Sequence, residues 1–63
     1  MDIYSYDDTV QSEAGRTFRV LWTTKRDASG KQSELWVRDT HTRKCCKLPV
    51  HRITHHTTHR KGE

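Results

Sequence analysis

FRVLWTTKRDASGKQSELWVRD, residues 18–39, holds both tryptophans and most of the large apolar side chains of a 63-residue chain. Residues 18–24 alternate in the period of a strand, with Phe18, Val20 and Trp22 on one face and Arg19, Leu21 and Thr23 on the other. Leu35, Trp36 and Val37 make the return. Between them Asp27-Ala28-Ser29-Gly30 supplies turn chemistry, with Gly30 free to take a positive φ. The stretch predicts a β-hairpin.

Its register follows from the turn. With Asp27 facing Gly30, Trp22 faces Leu35, Leu21 faces Trp36, Val20 faces Val37 and Arg26 faces Lys31. A slip of one residue sets Val20 against Arg38, which cross-strand pairing disfavours. In the preferred register Phe18, Val20, Trp22, Leu35 and Val37 form the core face. The other face carries Leu21 and Trp36, and it sets Arg19 opposite Arg38. Two facing arginines repel unless something anionic or aromatic relieves them.

Outward from the hairpin the signals weaken. Ile3-Tyr4-Ser5-Tyr6 reads as a short strand, followed by a helical turn over residues 9–14 that Asp8 caps and Gly15 stops. Residues 45–48 form a third strand with Cys46 and Leu48 on one side. Pro49 cannot donate to a ladder, so that strand ends there or lies at an edge. Val50 and Ile53 supply one more short extended piece, over residues 51–54, and residues 55–63 read as a flexible, basic, His-rich tail.

The expected fold is therefore all-β: a small twisted antiparallel sheet of three to five strands over residues 16–54, after an acidic arm of residues 1–15. RDASGKQSEL followed by KLPVHRI is similar to the closing strands of small Sm-like or SH3-like barrels. That resemblance spans about half the chain, rests on general hairpin features and implies an open barrel, but it assigns no residue a role.

Size and charge narrow the function. A chain this short builds one domain and one thin core. Only 30% of residues are hydrophobic, so burial and ordering entropy nearly cancel and a partner or second copy adds stability. Residues 1–15 carry Asp2, Asp7, Asp8 and Glu13 and no Lys or Arg, whereas residues 16–63 hold all 12 basic side chains. The acidic arm either folds back on the basic surface or shields it from non-specific anions. Ordinary solubility is the plain alternative. Adjacent Cys45 and Cys46 are poorly placed to staple a fold, which points to a reduced, cytoplasmic setting. No apolar run is long enough for a signal peptide or a membrane span.

Three groups of residues are candidates for function. Arg19, Leu21, Trp36 and Arg38 pair an aromatic stacking platform with phosphate-binding cations, the plan of small sheets that bind single-stranded nucleic acid. The competing reading makes Leu21 and Trp36 a second small core under Tyr4 and Tyr6. Arg43, Lys44, Lys47, Arg52, Arg60 and Lys61 supply sequence-independent attraction to phosphates, or to the acidic surface of a host protein. Cys45, Cys46, His51 and His55, with His56 and His59, are metal-competent. Their spacing follows no known zinc motif, and the Thr-rich tail is a poor helix on which to use the i, i+4 histidines. No phosphate loop, activated nucleophile or carboxylate pair is present, so neither catalysis nor a cofactor is expected.

Two functions remain open from the sequence. One is a regulatory module binding single-stranded RNA or DNA; the other is an inhibitor or adaptor docking on an acidic protein surface. An exposed edge at Pro49 also admits a homodimer through strand pairing.

Overall fold

The computed structural model describes residues 2–58. Five strands, β1 Thr9–Ser12, β2 Thr17–Arg26, β3 Gln32–Asp39, β4 Cys45–Pro49 and β5 Ile53–Thr57, form one antiparallel sheet in the order β4-β3-β2-β1-β5. A 3-10 turn, Val50–Arg52, carries the chain from β4 to β5, so the extended piece expected over residues 51–54 begins only at Ile53. These two are the edge strands, and among the described residues they do not pair with each other, so the sheet is open.

Alternation places one apolar residue after another on the inner face. Val10 lies opposite Phe18, Val20 opposite Val37, and Leu35 opposite Leu48. These six side chains are the buried core, with Tyr4, Val50 and Ile53 packed against them. The third strand, the pairing of Cys46 and Leu48 on one side, and the edge position of Pro49 are as expected.

The central hairpin keeps Arg19 opposite Arg38 and Val20 opposite Val37, then departs from the expected register. A bulge between Val20 and Trp22 leaves Leu21 as an extra residue, so Trp22 faces Trp36 rather than Leu35. One inserted residue reverses which side of the sheet the next side chain occupies. Trp22 therefore leaves the predicted core and is 60% exposed. Further shifts near the tip pair Lys25 with Glu34 and Arg26 with Gln32, not Arg26 with Lys31.

The turn closes one residue later than Asp27 facing Gly30. Asp27 N donates to Lys31 O at 2.9 Å, Gly30 N donates to Asp27 O at 3.0 Å, and Gly30 sits at φ 86°. This is a three-residue loop ending on a left-handed glycine. The same pattern joins β1 to β2: Ser12 N donates to Arg16 O and Gly15 N to Ser12 O, both at 2.9 Å, with Gly15 at φ 84°.

That second loop corrects the N-terminal reading. Residues 9–12 are strand β1, not a helical turn, so the sheet begins inside the expected arm of residues 1–15 rather than at residue 16, and Gly15 turns a hairpin rather than stopping a helix. Residues 3–6 form no strand. They run beside the hairpin, where Tyr4 N donates to Gln32 Oε1 and Gln32 Nε2 donates to Tyr4 O, both at 2.8 Å. At the other end, residues 55–57 belong to β5 and extend the sheet past the boundary drawn at residue 54; residues 59–63 lie outside the described residues.

Candidate nucleic-acid interface

The outer face of the sheet is built in two cross-strand rows. Lys47, Trp36 and Trp22 are neighbours across β4, β3 and β2. Cys45, Arg38, Arg19 and Thr9 form the row beside them, across β4 to β1. The two indole rings stack with centroids 6.1 Å apart and planes 24° from parallel. Trp36 is half-buried, whereas Trp22 is open to solvent. The result is an aromatic surface two rings wide, bordered by Arg38, Arg19 and Lys47.

The acidic arm folds back on the basic body. Arg26 Nη1 and Nη2 donate to Asp2 Oδ1 and Oδ2 at 2.7 and 2.9 Å. Arg19 Nη1 donates to Asp7 Oδ1 at 2.9 Å, and Arg52 lies 3.7 Å from Glu13. Of the two opposed arginines, Arg19 thus finds an anion within the chain itself, in Asp7. Asp7 is held at φ 71°, donates its N–H to Val20 O at 2.7 Å, and is followed by Asp8, whose carbonyl accepts from Val20 N at 2.9 Å.

Asp8 is 2% exposed. It fastens the arm: Ser5 N donates to its Oδ2 at 2.9 Å, and His56 Nε2 lies 2.8 Å from the same oxygen. Tyr4 packs on the His56 ring at 4.6 Å, and burial pushes its phenol pKa up. Tyr4 therefore covers the inner face and Tyr6 is exposed, so neither makes a second core over Leu21 and Trp36.

Of the residues singled out from sequence, Arg19, Trp36, Arg38 and Lys47 come together on the outer face. Leu21 is the half-buried bulge residue beside them. Arg43 and Lys44 lie in the turn that links β3 to β4, next along the chain from Arg38. Arg52 sits apart on the 3-10 turn with Glu13. Arg60 and Lys61 fall outside the described residues. Trp22 was missed, because an alternating apolar pattern contains nothing that marks a bulge.

The metal-competent residues are dispersed. Cys45 and Cys46 are free thiols on opposite sides of edge strand β4, His51 is in the 3-10 turn, and His55 is on the opposite edge strand β5. Among the described residues no three His, Cys, Asp or Glu side chains gather as a metal site. Burial, then Asp39, raises the Cys46 pKa. A cleft of about 410 Å³ between the β1–β2 and β3–β4 turns contains Arg16 and Asp39, which lie 3.7 Å from each other. Asp39 is held below the usual carboxylate range by the backbone N–H groups of Thr42 and His41, helped by Arg16.

Comparison with protein-family models, with curated proteins and with solved structures returned no match. Among the described residues no helix is long and apolar enough to cross a membrane.

Proposed function

We propose that this protein is a small regulatory module that binds single-stranded nucleic acid, without catalysis, on the outer face of its sheet. The observation that carries the reading is the solvent-facing Trp22–Trp36 stack bordered by Arg38, Arg19 and Lys47. A chain with so few apolar residues gains little from leaving its largest ring in water. Ring faces that accept unpaired bases, at about 1–3 kcal/mol per base, give that exposure a use. Trp22 and Trp36 stack bases, Arg38 and Lys47 hold phosphates, and Arg43 and Lys44 extend the cationic track beyond β3. A duplex hides its base faces, so a single strand fits this surface better. The free thiols of Cys45 and Cys46 agree with a reducing, cytoplasmic setting.

Titration with single-stranded RNA, single-stranded DNA and duplex at several salt concentrations tests the proposal. Single strands bind more tightly than duplex, and affinity falls steeply as salt rises. No detectable binding at about 50 mM salt, where phosphate-driven affinity is high, sinks it. Tryptophan and arginine also anchor protein interfaces. Stoichiometric recovery of an acidic protein from host extract, with no nucleic-acid binding, transfers the same face to the adaptor reading.

A further inference from the structure

We infer that Asp7 is a built-in competitor for the phosphate site on Arg19, so that the acidic arm sets the affinity of the aromatic face. This rests on the nucleic-acid reading above. A carboxylate oxygen 2.9 Å from Arg19 Nη1 occupies the position from which a phosphate oxygen would accept the same bond. Arg19 stands opposite Arg38, so an anion held on Arg19 lowers the repulsion between like charges that face each other across the strands.

The competitor is held in place rather than trailing in solvent. Asp2 is clamped by Arg26, Tyr4 by Gln32, and Asp8 by His56 and Ser5 N. Asp7 itself adopts a left-handed conformation that most residues avoid and that Asp and Asn tolerate. The arm therefore delivers the carboxylate to Arg19 at little further cost in order. The pair remains displaceable, since the two side chains are 48% and 33% exposed. Exposed ion pairs are weak enough for a polyanion to outcompete. A strand bearing several phosphates displaces Asp7, whereas a lone anion meets an occupied site. The acidic arm thus selects against small anions on the face it guards.

A double-mutant cycle with a fluorescein-labelled single-stranded oligonucleotide tests this. Asp7→Asn, which keeps the left-handed backbone accessible, tightens binding about two- to fivefold, the range of an exposed pair. It also steepens the salt slope by up to about 0.7, the value for one added phosphate contact on a single strand. In an Arg19→Gln background Asp7→Asn changes nothing. An equal gain in both backgrounds reflects net charge alone and overturns the inference, as does no gain in either. Trp22→Ala separates the two levels. If it weakens binding while Asp7→Asn has no effect, the face stands and the competitor does not. If it binds like the parent, the face itself is refuted. Asp7→Gly, with its free φ, repeats the measurement should the Asn variant lose its melting transition.

Discussion

Trp22 stands opposite Trp36 on the solvent side of the sheet because Leu21 is an extra residue in β2. Without the bulge, strict alternation carries Trp22 to the side of Val20 and into the core. The bulge thus converts a hairpin with one apolar face into one with a core on one side and an aromatic platform on the other. It also gives the site rigid support, since both rings project from central strands whose opposite faces hold Val20, Leu35 and Val37.

Deleting Leu21 tests this directly. Removing the extra residue makes the ladder regular while leaving Val20 opposite Val37 and Trp22 opposite Trp36. The expected variant is folded, destabilised by about 1 kcal/mol for a half-buried leucine, and still shows the far-UV exciton couplet of stacked indoles. A couplet that appears only in the variant, with the parent showing the blue-shifted emission of a buried Trp22, contradicts the bulge.

The two tryptophans separate binding from stability. Trp22→Ala removes an exposed ring, so it costs about 1–3 kcal/mol of single-strand affinity and leaves the chemical denaturation midpoint nearly unchanged. Leu35 is fully buried between Thr23 and Leu48. Leu35→Ala costs about 2–5 kcal/mol, enough to unfold much of a domain this small. Equal midpoints for the two variants would place Trp22 in the core after all.

The strands of the hairpin were legible because β-branched and aromatic residues alternate on both sides of Gly30. The exact face of Trp22 was not, because Leu21 and Trp22 are both apolar and either fits an inner position. Strand β1 was misread for a different reason. Thr9-Val10-Gln11-Ser12 buries one large side chain, and Asp8 before it imitates a helix cap. A usable signal lay in the next residues. Ser12-Glu13-Ala14-Gly15-Arg16 repeats the order of Asp27-Ala28-Ser29-Gly30-Lys31: a polar residue, two small or polar ones, a glycine and a cation. Both segments fold into the same loop. Strand β5 hides behind its polarity, since His56 earns an inward position through Tyr4 and Asp8 rather than through hydrophobicity.

Those two glycines carry a matched prediction. Gly15 and Gly30 lie at φ 84° and 86°, with nothing near an added Cβ. Ala at either position therefore meets backbone strain alone, about 1–2 kcal/mol in the left-handed region. Asn, which tolerates that region, recovers part of the loss. Chemical denaturation of Gly15→Ala, Gly30→Ala and the Asn counterparts checks the ranking. An Ala variant as stable as its Asn counterpart would show that the loop has changed its turn.

Acid sensitivity centres on Asp39. Its carboxylate accepts from His41 N at 2.7 Å and Thr42 N at 3.1 Å, with Arg16 3.7 Å away. Hydrogen bonds from Thr42 and His41 lower its pKa in the folded protein. Asp27 is lowered chiefly by Ser29 and Lys31, and Asp2 chiefly by Arg26. A carboxyl whose folded pKa lies below its unfolded value binds more protons when unfolded. Its contribution to stability is full above the unfolded pKa, about 4, and disappears as pH falls through the folded pKa. The Tm of the parent therefore drops as pH is lowered from about 5 towards 2. Asp39→Asn keeps an acceptor for both backbone N–H groups but carries no charge, so it melts below the parent at neutral pH. The gap between the two Tm curves closes in acid. A gap that stays constant from neutral pH to about pH 2 would mean that shape, not ionisation, makes Asp39 the anchor of the β3–β4 turn.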